Sequence, residues 1–578
     1  MVTCLVPLAF WILLSGLDDL FVAAVWLMPR RQRFPWPAGS ELDHAPERRI
    51  AILVPLWNEH RVIGRMLERN LASIRYSNYD IFAGVYANDE PTARAVREIA
   101  RRDRRVHVAM LPHGGPTSKG DCLNGIWHRL REYEARHGVR FEIIITHDAE
   151  DLVHGESLRL INWFSRDYQM VQIPVLALPT GWAEYTHGVY CDEFAEYQQK
   201  DIPVRQRLGG FLPSNGVGTG FEREALERLA VKRQGRAFDA GCLTEDYENG
   251  YCLHELGYRQ LFVPLRTAEP PIATREYFPR RFRAAVRQRS RWVAGIALQG
   301  WQRHGWRTSA RQCYWLWRDR KGLVGNLLTP FANILFCYGL ANWHAVTRIP
   351  HWLEPFCVAV LGVSVCQMIA RAGCSARIYG WRFAAFVPLR VWWANLLNAL
   401  ATALAIGQFA AALRRGQSLA WRKTEHVYPA HAAVAGGQPR LGEALIRLRC
   451  LSTGELEEAL QRQPEGVRLG EYLLQLQRLS EEDLYQALSL QAGVELGAPQ
   501  AAELNLKATR ALPLAAIRRW KVMPYRIDLG QLHLLTPEVP TEQMTRALAN
   551  YSSLELRFRL VRPAEFKDLT VRYYGGAD

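Results

Sequence analysis

The sequence predicts a multidomain α/β protein: a soluble domain on a parallel β-sheet, helices that enter a membrane, and a C-terminal α+β unit. Three observations support this prediction. Strand-like and helix-like segments alternate between residues 48 and 300. Long apolar stretches stand before and after that region. Near the C-terminus, one pattern of leucine and glycine residues occurs twice with a constant offset.

The first apolar segment covers residues 2–28 and is followed by Pro29-Arg30-Arg31. It lacks the basic start and the cleavage site of a signal peptide. About 20 apolar residues span a bilayer, so we expect residues 1–29 to form a transmembrane helix with its basic end in the cytoplasm. Asp18 and Asp19 lie inside this helix, where a charge needs a protein or water partner. Either they pack against other spans or they have a functional role.

Three short apolar runs in the soluble region predict β-strands that end in polar loops. They are Ile50–Val54 before Pro55-Leu56-Trp57-Asn58-Glu59, Phe82–Ala87 before Asn88-Asp89, and Phe141–Thr146 before His147-Asp148-Ala149-Glu150-Asp151. Helical segments separate the strands, which indicates a parallel sheet. Sheets of this kind bind ligands beyond the carboxyl ends of their strands. The sequence therefore places three polar loops at a ligand-binding edge.

Transfer of a sugar from a nucleotide donor requires a divalent cation or another positive charge to stabilise the departing diphosphate. Asp148 and Glu150 could both reach a Mg²⁺ or Mn²⁺ ion. Lys119 could offset phosphate charge, and Asp89 is placed to bind the base or ribose. The acceptor hydroxyl needs a general base, for which Asp246 in Thr244-Glu245-Asp246 is a candidate. Taken alone, each of these motifs is more often a solvated turn or helix cap.

Together and in this order, five motifs resemble those of processive family 2 glycosyltransferases, the GT-A fold class of cellulose and hyaluronan synthases. They are Pro55-x-x-Asn58-Glu59, Asn88-Asp89, Asp148-Ala149-Glu150-Asp151, Thr244-Glu245-Asp246 and Gln288-Arg289-Ser290-Arg291-Trp292. The last motif, followed by membrane spans, is the most specific. The resemblance implies a GT-A domain over residues 48–300.

The resemblance also implies roles for individual residues. The donor would be bound by Pro55, Asn58, Glu59, Asp89, Lys119, Asp148 and Glu150, with Asp89 at the uridine and Asp148 and Glu150 at the metal. Asp246 would be the base, beside Glu245 in the catalytic motif, and Gln288, Arg291 and Trp292 would line the acceptor and diphosphate site. One departure is Glu150, where many members of the family have Asp.

The segment Gly216-Val217-Gly218-Thr219-Gly220 resembles the acceptor-side loop of the same family. A plain glycine-rich turn is the equally supported alternative. The segment is not a phosphate-binding G-x-G-x-x-G loop, and the chain has no Walker A motif, which argues against a motor ATPase.

Residues 301–415 contain three apolar stretches, which we expect to form interfacial and transmembrane helices. The first two, 323–345 and 352–370, predict spans. The third, 383–413, is interrupted by Pro388, Arg390, Asn395 and Asn398 and has arginines at both ends. It therefore predicts a re-entrant or interfacial helix, or a hairpin, that starts and ends on the cytoplasmic side. Both soluble parts would then lie in the cytoplasm, where activated sugars are found.

The net charge and the cysteine content indicate which classes of partner and of binding site the sequence supports. The net charge is +15, and one cluster of arginines lies at 275–291, next to membrane-like sequence. This indicates a surface that faces membrane lipids rather than a nucleic-acid polymer. The 11 cysteines include no C-x-x-C pair, so the sequence indicates neither a zinc site nor a disulfide framework.

After a linker at 416–439, residues 440–496 contain the duplicated pattern. Both copies have R-L-G, two aliphatic residues, three leucines at matching steps and a final glutamine. The first copy is Arg440, Leu441, Gly442, Leu445, Ile446, Leu451, Leu456, Leu460 and Gln463, and the second is Arg468, Leu469, Gly470, Leu473, Leu474, Leu479, Leu484, Leu488 and Gln491.

These repeats resemble the tandem cyclic-di-GMP-binding motif in the N-terminal domain of type II secretion and pilus-assembly ATPases. The candidate ligand-binding residues are Arg440, Leu441, Gly442, Leu445 and Gln463, and Arg468, Leu469, Gly470, Leu473 and Gln491. Arginines would bond the guanine edges and leucines would pack on the base faces. Arg449 and Gln477 replace the family's mid-motif glycine, so either affinity is lower or the repeat is structural only. Residues 497–578 would form the α/β remainder, with strands at 532–535 and 554–561.

The order of the segments resembles an inner-membrane family of phage-adsorption proteins, the adsorption protein B type. Leu17-Asp18-Asp19-Leu20 and Trp421-Arg422-Lys423-Thr424-Glu425-His426 share in this resemblance. It implies a glycosyltransferase that uses a nucleotide sugar, a glycan or lipid-linked acceptor, and an export partner. The alternative is a non-catalytic membrane scaffold or receptor subunit that binds cyclic-di-GMP.

Overall fold

The computed structural model describes residues 2–29, 34–266, 271–342, 350–417, 441–448, 450–464, 466–492, 494–499, 504–505, 508–528, 531–552 and 554–574. The chain divides into two compact units, Met1–Tyr428 and Pro429–Asp578.

The first unit contains a β-rich soluble part surrounded by helices. Its strands are β1 (Ile50–Pro55), β2 (Tyr79–Val85), β3 (Val106–Met110), β4 (Ile143–Thr146), β5 (Met170–Gln172), β6 (Val175–Ala177), β7 (Thr219–Glu222), β8 (Gln260–Phe262) and β9 (Thr274–Glu276). We call the motif Gln288–Trp292 the signature. The helices up to and including it are α1 (Val2–Leu27), α2 (Gly39–His44), α3 (Ile63–Ser73), α4 (Glu90–Arg102), α5 (Lys119–His137), α6 (Ser157–Phe164), α7 (Tyr185–Glu196), α8 (Ile202–Arg207), α9 (Arg223–Lys232), α10 (Glu245–Glu255) and α11 (Phe282–Trp292).

The remaining helices of this unit follow the signature. They are α12 (Gly300–His304), α13 (Ala310–Arg320), α14 (Gly322–Ala341), α15 (Glu354–Tyr379), α16 (Trp381–Ala384) and α17 (Val387–Arg415). Two π-helical turns, Tyr197–Asp201 and Val293–Gln299, continue α7 and α11.

Within the described residues, the main sheet has seven strands in the order β3-β2-β1-β4-β7-β5-β8. β1 lies between β2 and β4 and pairs in parallel with both, so the loops after these strands emerge at one edge. β7 is antiparallel to β4 and β5. The three strands predicted from the sequence are confirmed, with β2 starting three residues earlier than expected. The other strands of this unit have three to five residues and were not predicted, because segments this short carry little periodicity.

The core between β1, β2 and α5 brings the first catalytic loops together. Side chains of Leu53, Phe82, Ile126 and Leu130 are almost fully buried there. Gly84 permits the close approach of α5, since a Cβ atom at this position would lie 2.5 Å from Cγ1 of Ile126.

Four helical segments among the described residues are long and apolar enough to cross a membrane. They are Leu5–Leu27, Ala310–Ala341, Glu354–Tyr379 and Val387–Arg415. The first three agree with the predicted spans. Asp18 and Asp19 both contact Lys321, at 2.8 and 2.7 Å, and Asp18 also pairs with Arg318. These partners favour packing against neighbouring helices over a separate function for the two carboxylates.

The prediction of a hairpin at residues 383–413 is wrong, because Val387–Arg415 is one continuous helix of 29 residues. Pro388 lies in its first turn, where no backbone hydrogen bond is lost. Arg390 is fully buried and binds Asp192 of α7 at 2.6 and 2.9 Å. Polar residues that interrupt the apolar sequence are thus matched by partners in the fold. An interfacial position for this helix stays a prediction.

The second unit contains the duplicated helices and a small sheet. Its helices are α18 (Leu441–Arg447), α19 (Thr453–Arg462), α20 (Leu469–Gln475), α21 (Glu481–Ala492), α22 (Leu514–Trp520), α23 (Glu542–Ala549) and α24 (Pro563–Tyr574). Its strands are β10 (Glu495–Leu496), β11 (Met523–Asp528), β12 (Gln531–Thr536) and β13 (Glu555–Leu560), in the order β10-β13-β12-β11. Both strands predicted for this region are present as β12 and β13.

The two sequence repeats form equivalent helix pairs. Gly442 of α18 packs on Leu456, and Gly470 of α20 packs on Leu484, at matching positions. Gln477 follows α20 with a φ of 53°, in the left-handed region. This explains why glycine is the expected residue at that step of the motif.

Candidate active site

An open cleft of about 1010 Å³ lies at the edge where β1 and β4 end. Three loops from the sheet, the start of α5, the start of α10 and the signature helix α11 surround it. Of the predicted site residues, Pro55, Glu59, Lys119, Asp148, Glu150, Glu245, Asp246, Gln288, Arg291 and Trp292 line it. The fold therefore brings together motifs that are separated by more than 200 residues in the sequence.

Lys119 and Asp148 form an ion pair in the cleft, with Nζ of Lys119 2.6 Å from Oδ1 of Asp148. Lys119 is the first residue of α5, after Ser118, whose hydroxyl caps that helix by accepting from Asp121 N. Burial alone would lower the pKa of Lys119, but Asp148, Glu245 and Asp246 together raise it above its ordinary value. The lysine is therefore a permanent positive charge among three carboxylates.

Glu245 and Asp246 occupy the first turn of α10. Burial, reinforced by the charge of Asp246, raises the pKa of Glu245 to about 8. Burial likewise raises the pKa of Asp246, although Lys119 opposes the shift. The Oδ1 atom of Asp246 accepts from the backbone N–H of Tyr247 at 2.8 Å, which holds the carboxylate beside the helix start. A carboxylate with a raised pKa is suited to accept a proton near neutral pH.

The glycine-rich loop borders the carboxylate of Asp246. Gly216 has a φ of 77°, and a Cβ atom there would lie 2.5 Å from Oδ2 of Asp246. The buried side chain of Gln172 organises this loop: Oε1 accepts from Asn215 N, and Nε2 donates to the carbonyl of Val217, both at 2.9 Å. The loop is thus a tight turn and also part of the cleft wall, so the two interpretations of its sequence are compatible.

The signature helix α11 contributes one of its faces to the cleft. Gln288, Arg291 and Trp292 line the cleft, and the side chain of Gln288 is 8% exposed. The ring of Trp292 packs edge-on against Tyr190 and Phe278, with centroids 6.0 and 6.3 Å apart.

Asn58 and Asp89 are not among the residues that line the cleft. The carboxylate of Asp89 is buried and accepts from the backbone N–H of Asn58 at 2.5 Å. Asn58 has a φ of 54°, and its neighbour Glu59 donates its backbone N–H to Thr92. In this conformation Asp89 holds the loop after β1, and its contact with a donor base stays a prediction.

The fourth residue of the acidic motif, Asp151, has a role that the sequence did not reveal. Its side chain is fully buried and lies 2.6 Å from Nδ1 of His147, and it accepts from Asp148 N at 3.1 Å. Burial lowers the pKa of His147 to about 3 and raises that of Asp151. Asp151 thus shapes the turn that directs Asp148 and Glu150 into the cleft.

The carboxylate oxygens of Asp148 and Glu150 are the kind of ligand that Mg²⁺ and Mn²⁺ prefer. No cluster of three His, Cys, Asp or Glu side chains suited to a metal was found among the described residues. A hard cation at a nucleotide site commonly has only one or two protein carboxylates and takes its other ligands from phosphates and water. The two cleft residues fit that pattern.

Several lining residues were not predicted. They are Leu56, Trp57, Tyr86, Thr117, Ser118, Cys122, Ala149, Asn215, Val217, Leu243, Thr244, Glu276 and Phe278. Trp57 and Tyr86 form an edge-to-face pair with centroids 5.4 Å apart. Their position near the ends of β1 and β2 was a usable signal, whereas Glu276 ends and Phe278 follows β9, a strand too short to recognise.

One of the candidate cyclic-di-GMP residues, Arg440, lies outside the described residues. Arg468 is exposed at the start of α20, followed by Leu469 and Gly470, and Leu441 and Gly442 occupy the equivalent turn of α18.

Leu445 and Leu473 are fully buried in the core of the repeat, and their contact with a ligand stays a prediction. Gln463 donates to Val467 O at 2.5 Å, and Gln491 lies in α21, partly exposed.

Sequence comparisons show which known proteins this chain resembles. The family described as Glycosyltransferase like family 2 matches residues 46–295. The bacteriophage adsorption protein B of Escherichia coli (strain K12) is 34% identical over 565 residues, which cover 91% of this chain and 75% of that protein. The bacteriophage N4 adsorption protein B of Escherichia coli O157:H7 matches to the same extent.

Two solved structures are more distant. A structure of MshE with cdg is 27% identical and covers 24% of this chain and 99% of that chain, with a TM-score of 0.22. The mannosyltransferase PcManGT from Pyrobaculum calidifontis, in complex with GDP-Man and Mn²⁺, is 16% identical and covers 70% of this chain and 98% of that chain, with a TM-score of 0.45.

The relatives align with nearly the whole chain, and the matched glycosyltransferase region contains the sheet and the acidic cleft. On this evidence the chain belongs to the bacteriophage adsorption protein B family, as a glycosyltransferase of family 2 with a GT-A domain and candidate membrane helices.

Proposed function

We propose that this protein transfers a sugar from a nucleotide donor, a UDP-sugar, to a glycan or lipid-linked acceptor with inversion at the anomeric carbon. The product is a surface glycan, made at the cytoplasmic face of the inner membrane and passed to an export partner. The observation that carries the proposal is the convergence of Asp148, Glu245 and Asp246 around Lys119, next to Arg291.

In the proposed reaction, Asp246 accepts the proton of the acceptor hydroxyl as its oxygen attacks the anomeric carbon. The new carbon–oxygen bond forms as the bond to the diphosphate breaks, in a single displacement that inverts the configuration. The raised pKa of Asp246 suits a proton acceptor. Lys119 and Arg291 supply positive charge where the diphosphate departs.

Asp148 and Glu150 would hold a divalent cation. When bound, such an ion neutralises the diphosphate charge and makes it a better leaving group. Asp151 and His147 serve this function indirectly, because they shape the turn that presents the two carboxylates.

The second unit would bind cyclic-di-GMP and regulate the transferase. Supporting this, α18 and α20 are equivalent elements, as a ligand with two equivalent guanines requires, and Arg468 is exposed at the start of α20. Leu445 and Leu473, which are buried in the repeat, would support the two R-L-G turns from within.

The test is an Asp246→Asn substitution, assayed in membranes with labelled UDP-sugars and Mn²⁺. Loss of transfer at a normal protein level is expected, because the amide cannot accept the proton. The matched control is Glu255→Gln, at the exposed end of the same helix, which should transfer normally. Normal transfer by Asp246→Asn would refute the assigned base. A wild-type protein that transfers no sugar but is still needed for phage adsorption would indicate the non-catalytic scaffold instead.

A further inference from the structure

The signature helix α11 contains a buried arginine that does not line the cleft. Arg289 stands between Gln288 and Arg291 in the sequence, yet it is not among the cleft-lining residues, and it is 6% exposed. Its Nη1 atom donates to Oε2 of Glu193 at 2.6 Å and to Oδ1 of Asn398 at 2.8 Å. One nitrogen atom therefore connects α11 to α7 and to α17.

The side chains of Arg289, Glu193 and Asn398 are all hydrogen-bonded to one another. Nδ2 of Asn398 donates to Oε1 of Glu193 at 3.3 Å, and the guanidinium of Arg289 lies 4.3 Å from the ring centroid of Tyr190. A buried charge of this kind is stabilised only while its partners stay in place. The group thus favours one arrangement of the three helices.

Apolar contacts continue the same interface along α11. Phe282 packs edge-on against Trp393 of α17 with centroids 5.0 Å apart, and Ala285 is buried with Leu397 in one cluster. Residues 282, 285 and 289 follow helical spacing and form one face. Gln288, Arg291 and Trp292 form the face toward the cleft. Any shift of α11 against α17 would therefore move the three cleft residues.

We infer that Arg289 is a positioning residue for sugar transfer, which holds the signature helix against α7 and the candidate membrane helix α17. This inference rests on the proposed function. Misplacement of reacting groups by about 1 Å can lower a rate about 100-fold, so a contact far from the chemistry can control it. Recognition of the donor's base and ribose is assigned to the loops after β1 and β2, which are not among the hydrogen-bond partners of Arg289.

The experiment compares three variants of the full-length protein in detergent: Arg289→Met, Arg289→Lys and Arg287→Met. Sugar transfer is measured as kcat, and binding of UMP, which lacks the second phosphate, is measured by calorimetry. We expect Arg289→Met to lower kcat at least about tenfold while the Kd for UMP changes less than about twofold. Arg289→Lys should retain more activity than Arg289→Met, because an ammonium group can donate to both Glu193 and Asn398 and keeps a positive charge near Tyr190. Arg287 is exposed on the same helix, so Arg287→Met should behave as the wild type.

The inference is overturned if Arg289→Met transfers sugar as fast as Arg287→Met. It is also overturned if UMP binding falls in parallel with kcat, since that would mean a general collapse of the cleft. If Arg289→Met does not accumulate, Asn398→Leu removes only one partner and should lower kcat in the same direction; an unchanged kcat would then refute the inference. A wild-type protein that transfers no sugar at all would refute the proposed function instead.

Discussion

The ammonium group of Lys119 lies 2.6 Å from a carboxylate oxygen of Asp148, and this ion pair connects the start of α5 to the end of β4. The two residues belong to different motifs, but the sheet places them together because β1 separates β2 from β4 and α5 packs on β1 and β2. A positive charge is thus present in the cleft independently of any ligand. Its position suits a diphosphate that leaves during sugar transfer.

Substitution of Lys119 by methionine should slow sugar transfer. The change keeps most of the side-chain volume but removes the charge, and loss of one charged contact to the leaving group corresponds to a decrease of about 10- to 100-fold in kcat. The measurement is transfer from labelled UDP-sugar in membranes. Lys232→Met, at the exposed end of α9, is the control. A wild-type rate for Lys119→Met would contradict the role of Lys119 at the diphosphate.

Gly216→Ala should reduce activity by displacing the base. The new methyl group would lie 2.5 Å from Oδ2 of Asp246, and the φ of 77° adds strain of about 1 kcal/mol. We expect at least an about tenfold lower kcat, since small displacements of reacting groups have effects of this size. Gly181→Ala serves as the control, because no heavy atom lies within 4 Å of its added Cβ. Equal activity of the two variants would show that the carboxylate of Asp246 adapts freely.

Glu245 should make the stability of the protein depend on pH. Its pKa is about 8 in the folded protein, against an ordinary value of 4.5. Between these values the folded state binds the proton more tightly than the unfolded state, so the free energy of unfolding falls as pH rises through this window. Thermal unfolding in detergent at pH 5 and pH 8 measures this effect. Glu245→Gln should reduce the difference, whereas Glu255→Gln should leave it unchanged; an equal difference in both variants would contradict the prediction.

Gln477→Gly should stabilise the second unit. The residue has a φ of 53°, which costs a non-glycine side chain about 1 kcal/mol in stability. Urea unfolding of Pro429–Asp578, which has its own apolar cores, measures the change. Glu457→Gly, on the exposed side of α19, is a control with the opposite sign. Glycine inside a helix should lower the free energy of unfolding of this unit by about 1 kcal/mol. Destabilisation by Gln477→Gly would mean that its side chain makes a contact worth more than the strain.

Arg468→Ala should abolish or strongly weaken cyclic-di-GMP binding in calorimetry. The side chain is exposed at the start of α20, where it can reach a guanine edge, and such a bidentate contact contributes about 1–3 kcal/mol. Arg518→Ala, exposed on α22, should bind normally. If binding is undiminished even when Arg440 is replaced as well, the second unit is a structural repeat that packs its own leucines.

Much of the site could be predicted from the sequence, because the signals are local. A buried strand followed by a polar loop is visible in a few residues, and parallel neighbours bring such loops to one edge. The loops after β1 and β4 therefore meet as expected, together with Lys119 and Asp246. The duplicated pattern likewise predicted equivalent helices, since its glycines mark where the helices touch.

The tertiary structure decided what depends on partners that are distant in the sequence. Asp18 and Arg390 lie in apolar segments where an isolated charge is unfavourable, and only the fold supplies Lys321 and Asp192 as their counterparts. For this reason residues 387–415 form one helix and not a hairpin, although polar residues interrupt the apolar sequence. The same is true of Arg289: its spacing within the signature is local information, but its burial against Glu193 and Asn398 exists only after three helices have packed together.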